Sequence, residues 1–409
     1  MPEQVIRRQA AAIGGSVIYE LLRGIRVVEL ALLSPDAVGM HLADLGAEVI
    51  KIEQPPDGDY VRVIGGKHIG GQSLMHLRWN RGKKSVTVNL ASEDGRRVFL
   101  DLAARSHVLI DGLRAGVATR FGVDYPSVRE VNPKIVYCSL NGTGQAGPYR
   151  DLATHGLAYD AYGGLAPPAF REDGTPFLPR APQIGIVAGP LYAALGVAAA
   201  LVRSLSAGEG QHIDVAQMDC SAAWQADGID AALNGVIPDY QGMEDAVRYQ
   251  YYRCKDGEYV IFQASERKFW HNFCRGVGRE DLIGRGRRSV GEHARGDEDL
   301  RSELAAIFAS RTRADWVTFF IEHDVAGGPV NTPAELIDDP HFRARDLVFE
   351  QIHPQAGVCR FFGTPIKLSG QQFSASPAPR PGEHTDAVLS ELLGFDAGRL
   401  QDLRARGVI

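Results

Sequence analysis

The sequence predicts an α/β protein in which a Rossmann-like large domain with a parallel sheet is joined to a smaller α+β domain. Residues 22–30 and 46–53 are apolar runs typical of buried strands, and residues 37–45 between them have the spacing of an amphipathic helix. A strand, a helix and a second strand within about 30 residues form a βαβ unit, whose strands pair in parallel with a right-handed crossover.

Residues 190–215 are the second observation behind this fold class. Pro190 suits the first turn of a helix, where its missing N–H costs nothing, and apolar residues then recur at helical spacing as far as Val202. Gly196 and its neighbouring alanines give this segment little bulk, so we expect a central, buried helix over 190–206. A glycine turn ends the helix, and residues 212–215 alternate like a short strand.

Composition excludes several classes of function. The 44 basic and 50 acidic residues give a net charge of −6, which offers no broad field for nucleic acid or anionic lipid. Five scattered cysteines show no metal-ligand spacing and fit a reducing compartment. We find no secretory signal or membrane-spanning segment, and expect a protein in solution in the cytoplasm with no nucleic-acid or membrane partner.

The predicted domain organisation has three segments. Residues 1–233 form the first part of the large domain, residues 234–328 the small domain, and residues 329–409 return to the large domain. A strand, tight turn and strand over 251–260 open the small domain. The first 20 residues are a lead-in without a readable function. The loop after the first strand, ALLSPD, lacks GxGxxG, so a nicotinamide cofactor is not expected.

Four motifs resemble those of one protein family. They are LGAEVIKIE (45–53), NPKIVYCSLNGTGQAGP (132–148), GEGQHIDVAQMD (208–219) and RPGEHTD (380–386). Together they resemble the family III CoA-transferases, the CaiB/BaiF group that includes formyl-CoA transferase and α-methylacyl-CoA racemase. The resemblance covers nearly all of the chain from Leu21 onward. It implies an interlocked-ring dimer, a CoA thioester as substrate, no metal and no tightly bound cofactor.

The resemblance also implies a set of residues around CoA. By position these are Ser34, Pro35, Gln54, Val88, Gly112, Leu113, Arg114, Arg120 and Asn141. Because the net charge is slightly acidic, CoA needs a local basic cluster, and Arg81, Lys83 and Lys84 are candidates for it. Each assignment has an alternative. The loop with Ser34 and Pro35 could belong to a plain βαβ unit that binds nothing. Arg114 and Arg120 could form salt bridges, and residues 81–84 could form a solvated basic turn.

The resemblance breaks down at the residue that matters most. In the transferases, an aspartate in the loop before the central helix takes the acyl group, but Gly185 and Ile186 stand at the matching positions here. Neither has an oxygen nucleophile for covalent catalysis. We therefore expect a non-catalytic subunit whose partner is a homologous, aspartate-bearing chain. The analogy is the two-subunit benzylsuccinate CoA-transferase of anaerobic toluene degradation, which moves CoA from succinyl-CoA to a dicarboxylate.

Other hypotheses remain open. His155 lines up with the histidine of the racemase branch, although Gly156 replaces the acid that follows it, and Glu266 could complete an altered acid/base pair for a 2-methylacyl-CoA racemase. Alternatively, His155 is structural and Glu266 caps a helix. The chain could also be a CoA-binding scaffold, or an ordinary transferase whose loop is misaligned. Asp160 is the nearest acid before the loop, but it lies too many residues upstream for a small alignment error to make it the nucleophilic aspartate.

Overall fold

The computed structural model describes residues 19–178, 182–237, 241–285 and 293–409, so the predicted lead-in lies almost entirely outside it. These residues form two compact units. The larger unit contains the described residues up to Ile229 together with Asp346–Ile409, and the smaller one is Asp230–Arg345. The predicted limits at 233/234 and 328/329 stay a prediction, and the observed division places residues 329–345 with the smaller unit.

The strands and helices are numbered in chain order. The strands are β1 (Arg26–Leu30), β2 (Glu48–Glu53), β3 (His68–Ile69), β4 (Gln72–Ser73), β5 (Lys83–Thr87), β6 (Val108–Asp111), β7 (Val136–Asn141), β8 (Ala169–Phe170), β9 (Pro176–Phe177), β10 (Gln211–Ala216), β11 (Tyr249–Arg253), β12 (Tyr259–Gln263), β13 (Gly327–Pro329), β14 (Val348–His353) and β15 (Gly357–Phe362).

The helices complete the inventory. They are α1 (Asp36–Asp44), α2 (Leu74–Trp79), α3 (Glu93–Ala103), α4 (Val117–Phe121), α5 (Tyr125–Val131), α6 (Leu157–Tyr162), α7 (Gly185–Ala207), α8 (Gln217–Ala223), α9 (Ala226–Leu233), α10 (Gln241–Glu244), α11 (Arg267–Gly276), α12 (Glu298–Phe308), α13 (Arg313–Glu322), α14 (Pro333–Leu336), α15 (Pro340–Ala344), α16 (Thr385–Leu393) and α17 (Ala397–Ala405), with 3₁₀ turns at Tyr60–Arg62 and Glu280–Gly284.

The larger unit is built on a six-stranded sheet in the order β10-β7-β6-β1-β2-β5. Every neighbouring pair is parallel, which confirms the predicted parallel sheet. Counted along the chain, this is the doubly wound order 3-2-1-4-5-6. The chain reverses its direction of winding between β1 and β6. Ligands of such folds bind beyond the carboxyl ends of the strands at that switch point.

Both faces of this sheet are covered by helices. Successive side chains of a strand point to opposite faces, so each strand contributes to two clusters. Val28 and Ile50 pack on one face in a cluster that includes Phe99 of α3. Val27 and Val49 pack on the other face with α1 and α7. The side chain of Ser92 caps α3 by accepting a hydrogen bond from the N–H of Gly95.

The central helix α7 differs from its prediction in two respects. It begins five residues earlier than expected, at Gly185, so Pro190 lies inside the helix rather than in its first turn. One face, with Ala193 and Val197, is buried against the sheet as predicted. The opposite face is exposed, because no described residue of the chain packs on it. We call it the α7 stripe: Val187, Leu191, Leu195, Val202 and Leu205, all more than half exposed.

Helix α7 is also the one helix in the described residues that is long and apolar enough to cross a membrane, with 23 residues and a mean hydropathy of 2.0. That finding rests on length and composition alone. The helix packs on β7, β10, α1 and α8. The core helix of a soluble protein satisfies the same criterion.

The smaller unit packs helices on a three-stranded antiparallel sheet, β11-β12-β13. The predicted hairpin is confirmed, since β11 pairs with β12 from Tyr249↔Gln263 to Arg253↔Tyr259. Its core is aromatic: the rings of Phe262 and Phe273 are 4.6 Å apart, and those of Phe308 and Trp316 are 4.7 Å apart. Helices α8 and α9 are separate, with residues 224–225 between them.

Candidate functional site

A cavity of about 770 Å³ opens at the switch point of the parallel sheet. Ligand pockets typically enclose about 300–1,000 Å³. We call this space the switch-point cavity. Its walls come from the segments that follow β1, β2, β6, β7 and β10, together with residues 150–159: Leu32, Leu33, Ser34, Pro35, Tyr60, Gly112, Leu113, Arg114, Ala115, Gly116, Val117, Arg120, Asn141, Gly142, Thr143, Arg150, Asp151, Leu152, Thr154, His155, Tyr159 and Gln217.

Most of the residues that the sequence assigned to CoA line this one cavity. They are Ser34, Pro35, Gly112, Leu113, Arg114, Arg120 and Asn141. Two others do not. Gln54 is exposed beyond the end of β2, and Val88 is 1% exposed and packs into the core beneath the sheet. The Val88 side chain therefore faces away from any ligand in the cavity, because it belongs to the face that packs on α3.

Gly112 brings two of the cavity walls together. A Cβ atom at this position would lie 2.7 Å from the Cβ atoms of both Ala31 and Pro35. That distance is far inside ordinary contact, so only glycine lets the segment after β6 pack against the segment after β1. The family resemblance places Gly112 beside CoA, and the close approach that the structure shows at this residue is to Ala31 and Pro35 of the same chain.

The cavity wall carries unpaired positive charge. In the described part of the chain, the exposed side chains of Arg114 and Arg120 form no hydrogen bond or ion pair. Arg150 is partly engaged: its Nε donates to the Gln145 carbonyl at 3.0 Å and its Nη1 to Asp151 at 3.2 Å. Free guanidinium groups beside a crevice are suited to bind phosphate.

The basic residues near β5 have a different role from either one predicted. Arg81 is buried and forms a bidentate pair with Asp44. Lys83 is fully buried and donates to Glu29 at 2.5 Å. The side chain of Lys84 pairs with Glu48 on β2. They are neither CoA ligands nor a solvated turn, because folding places each opposite a carboxylate within or beside the sheet.

A buried ionic network holds two walls of the cavity. Lys51 of β2 donates to Asp36 at 2.5 Å, to Asp59 at 2.8 Å and to the carbonyl of Ala31 at 3.1 Å. Asp36 directly follows the wall residue Pro35, and Asp59 precedes the wall residue Tyr60. Burial raises the pKa of Asp36 well above its ordinary value, although the Lys51 charge opposes the rise. Lys51 therefore connects the wall segment that contains Pro35 to the wall segment that contains Tyr60 through buried contacts.

The side-chain amides of Asn141 and Gln217 stand in the same wall. Asn141 Oδ1 accepts from the N–H groups of Thr143 at 2.9 Å and Gly144 at 2.7 Å. Gln217 Oε1 accepts from the Ser34 hydroxyl at 2.8 Å. Asn141 Nδ2 is buried without a hydrogen-bond partner in the described residues. The wall thus contains amide donors that the chain leaves unused.

The first turn of α7 has no free acid among the described residues. At position 185 a Cβ atom would lie 2.6 Å from Ser221 Oγ and 2.6 Å from Tyr159 Cβ, so the space for a side chain is already filled. The carboxylate beside it belongs to Asp160, which is completely buried. Its two oxygens accept from Ile184 N, Gly185 N and Ser221 Oγ at 2.7–2.9 Å. Asp160 therefore caps the helix and is not among the residues that line the switch-point cavity.

The two weaker catalytic candidates lie in different units. His155 is exposed and lines the switch-point cavity. Glu266 belongs to the smaller unit, where it is exposed at the N-cap position of α11. Glu266 thus occupies the N-cap position that was one of its two predicted roles, but its side chain accepts no hydrogen bond from the helix.

The wall residues that sequence reasoning missed include Tyr60, Arg150, Tyr159 and Gln217. Only Gln217 carried a usable signal, because it directly follows a predicted strand of the parallel sheet, and the carboxyl ends of such strands meet at one edge. The others lie in loops or short helices whose path is not encoded in local pattern. No group of three or more His, Cys, Asp or Glu residues in the described ranges could hold a metal ion.

A doubly wound sheet with an arginine-bearing cavity at its switch point is the arrangement in which α/β proteins typically bind phosphate-bearing ligands. A family model described as CoA-transferase family III matches residues 22–385. The chain belongs to this family, whose members act on CoA thioesters, and it is thus a CoA-transferase chain. The family assignment predicted from the motifs is confirmed.

Individual relatives agree with the family match. The chain is 29% identical over 403 residues to the human protein named succinyl-CoA:glutarate CoA-transferase, covering 95% of this chain and 90% of that one. It is 30% identical to the beta subunit of a succinyl-CoA–L-malate CoA-transferase of Chloroflexus aurantiacus, covering 95% and 98%. A CAIB/BAIF family protein from Brucella suis superposes with a TM-score of 0.72 at 29% identity, covering 91% and 99%.

Proposed function

We propose that this chain is the non-catalytic subunit of a heteromeric CoA-transferase that moves CoA between carboxylic acids. The observation that carries the proposal is the first turn of α7, where Gly185 and Ile186 offer no oxygen nucleophile. Acyl transfer through the enzyme needs a carboxylate that can attack a thioester carbonyl. Asp160 cannot do so from where it lies, because it is completely buried and its oxygens accept three hydrogen bonds.

We further propose that the chain still binds CoA in the switch-point cavity. The seven predicted contact residues that line it support this, above all the unpaired guanidinium groups of Arg114 and Arg120 for the phosphates. Ser34, Pro35 and Leu113 would pack along the ligand. Gln54 and Val88 are not included, since neither lines the cavity.

The proposed partner is a homologous family III subunit that carries the aspartate. The α7 stripe supports association, because contiguous exposed apolar side chains on one helix face are typical of an interface. The name of the Chloroflexus relative, a beta subunit, shows that such enzymes can contain two kinds of chain. The interlocked-ring arrangement and the location in the cytoplasm stay predictions.

We propose succinyl-CoA as the CoA donor. Both named relatives use it according to their names, and their acceptors, glutarate and malate, are dicarboxylates. An aromatic dicarboxylate such as benzylsuccinate remains the predicted acceptor, and it rests on the analogy to a two-subunit enzyme rather than on a residue of the cavity.

Co-purification and reconstitution test the proposal. The chain is purified alone, and also from its native source through an affinity tag, and each preparation is assayed for transfer from succinyl-CoA to glutarate, malate and benzylsuccinate. We expect no transfer by the chain alone, and transfer by a complex that contains an aspartate-bearing family III chain. Robust transfer by the single purified chain would overturn the proposal.

The racemase alternative is not favoured by the relatives, which are named as transferases. The exposed position of His155 in the cavity wall is the observation that keeps a test worthwhile. Exchange of the Cα proton of a 2-methylacyl-CoA for deuterium would reveal it, and we expect none. A pure CoA-binding scaffold would bind CoA but gain no transferase activity with any partner.

A further inference from the structure

We propose that the amides of Asn141 and Gln217 form a binding site for the free carboxylate of a dicarboxylic acyl-CoA such as succinyl-CoA. The inference rests on the proposed function, because it requires CoA in the switch-point cavity. It adds the chemical class of the acyl group and the two residues that recognise it.

The orientation of the Asn141 amide is fixed by its own chain. Its Oδ1 accepts from two backbone N–H groups, so exchanging Oδ1 and Nδ2 would set an N–H₂ group against two donors. Nδ2 must therefore point the other way. Asn141 is 6% exposed and Nδ2 has no partner in the described residues. A buried donor without an acceptor is costly, which makes this group a ready site for a ligand oxygen.

Gln217 presents a second donor beside the first. Asn141 pairs with Ala216 across the sheet, so Gln217 is the next residue at the same strand end. Its Oε1 accepts from the Ser34 hydroxyl, and its Nε2 forms no hydrogen bond within the described residues. Gln217 is 2% exposed and lines the cavity. The two free amide nitrogens thus belong to one wall.

This pair lies at the acyl end of the cavity. The Gln217 side chain packs on the start of α7, since a Cβ atom at Gly189 would lie 2.7 Å from Gln217 Cγ. Gly189 is four residues, about one helical turn, after Gly185, the position of the missing acid. An acyl group that reaches toward that position passes the amides. The unpaired Arg114 and Arg120 follow β6, on the other side of β7 from Gln217, and are left for the phosphates.

The donors select a polar acyl group. A carboxylate has two oxygens and accepts strong, charge-assisted hydrogen bonds from N–H donors. An unsubstituted fatty acyl group would leave the buried Asn141 Nδ2 unpaired and would offer no acceptor to Gln217 Nε2, so it would lose this contribution. Because the chain lacks a nucleophile, a bound acyl-CoA should remain intact, so its binding can be measured at equilibrium.

Calorimetry with three ligands tests the site. The full chain is titrated with succinyl-CoA, with butyryl-CoA, which lacks the free carboxylate, and with free CoA. We expect succinyl-CoA to bind at least roughly tenfold more tightly than butyryl-CoA, as for hydrogen bonds to a charged group. In Gln217→Met and Asn141→Asp this preference should disappear, and Gln217→Met should bind butyryl-CoA and free CoA as before. Asn141→Asp keeps the Oδ1 acceptor that holds residues 143 and 144.

A matched control is Gln351→Met. Gln351 is also a buried side-chain amide with no hydrogen-bond partner among the described residues, but it lines a separate cavity of about 690 Å³ beside β14, so this change should leave the preference intact. Equal affinity for succinyl-CoA and butyryl-CoA, with tight binding of free CoA, would overturn the inference and leave the proposed function standing. Binding of none of the three ligands would overturn both. A preference that survives Gln217→Met and Asn141→Asp would overturn the assignment of these residues.

Discussion

The main-chain N–H of Gly185 donates a 2.8 Å hydrogen bond to Oδ1 of Asp160, 25 residues earlier in the chain. The same oxygen accepts from Ser221, and the second oxygen accepts from the N–H of Ile184. A carboxylate at a helix N-terminus accepts hydrogen bonds from the free N–H groups and interacts favourably with the positive end of the helix dipole. The start of α7 is thus stabilised by an acid that is not in a position to react.

The first prediction concerns the return of an aspartate at position 185. Gly185→Asp should destabilise the chain by about 2–4 kcal/mol, because its Cβ overlaps Ser221 and Tyr159 and its charge lies beside buried Asp160. It should not create transferase activity in the single chain. Urea unfolding and a transfer assay check this. Gly284→Asp is the control, since a Cβ there meets nothing within 4 Å. Activity in Gly185→Asp at unchanged stability would contradict the steric account.

The second prediction concerns the hydrogen bond between Asp160 and Ser221. Asp160→Asn and Ser221→Ala should each lower the free energy of unfolding, and the double mutant should lose less than the sum. We expect a coupling energy of about 1.5–3 kcal/mol, as for a hydrogen bond to a charged group. Asp173→Asn, at an exposed turn, should change little. Additive losses in the cycle would mean that the two side chains do not interact.

The third prediction concerns Lys51. Lys51→Met removes the cation between Asp36 and Asp59, and should cost about 3–5 kcal/mol because it leaves buried carboxyl groups uncompensated. Lys84→Met on the neighbouring strand β5 removes a partly exposed pair with Glu48 and should cost less than about 1 kcal/mol. Thermal unfolding of both variants measures the difference. Similar losses in both would contradict the role of the buried network.

The fourth prediction concerns pH. Burial raises the pKa of Asp111 from 3.8 to about 6, although hydrogen bonds from Leu113 N and Tyr137 oppose the rise. Between about pH 4 and pH 6 the folded state holds this proton more often than the unfolded state. The contribution of Asp111 to stability is therefore complete below pH 4 and falls as the pH rises to 6, by about 2–3 kcal/mol.

Asp111→Asn should remove this fall. Its Oδ1 can keep the hydrogen bond from Leu113 N, and its Nδ2 can donate to Tyr137, whose hydroxyl still reaches the Val123 carbonyl at 3.2 Å. Unfolding free energies of wild type and variant, measured from pH 4 to 7, give the difference. That comparison is needed because burial lowers the pKa of His41 to about 4, which gives a slope of opposite sign in the same range. A constant difference across this range would contradict the prediction.

The fifth prediction concerns the α7 stripe. Leu195, 64% exposed, is near its centre, and Leu195→Glu should weaken subunit association at least about tenfold without lowering the unfolding temperature of the chain. Sedimentation velocity measures the association. Ser206→Glu places the same charge near the end of α7, outside the stripe, and should have little effect. Unchanged association of Leu195→Glu would exclude the stripe as the contact.

The sequence by itself determined the parallel sheet, because alternation and helical spacing are local and each strand of the βαβ unit shows them. It also determined that positions 185 and 186 lack an acid, and through the family resemblance it assigned residues after β1, β6 and β7 to one ligand. The extent of α7 was less well predicted, because Pro190 was taken to mark its first turn.

Only the tertiary structure decided where the charged and polar side chains go. Burial of Lys83, capping by Asp160 and the convergence of Asn141 with Gln217 depend on partners 25 to 76 residues away, and no local periodicity encodes such pairs. A buried charge or amide is stable only opposite its partner, and that partner is present only once the sheet has formed. For this reason the sequence alone showed that the nucleophilic aspartate is missing, and the fold showed that Ser221 and Tyr159 fill the space beside Gly185.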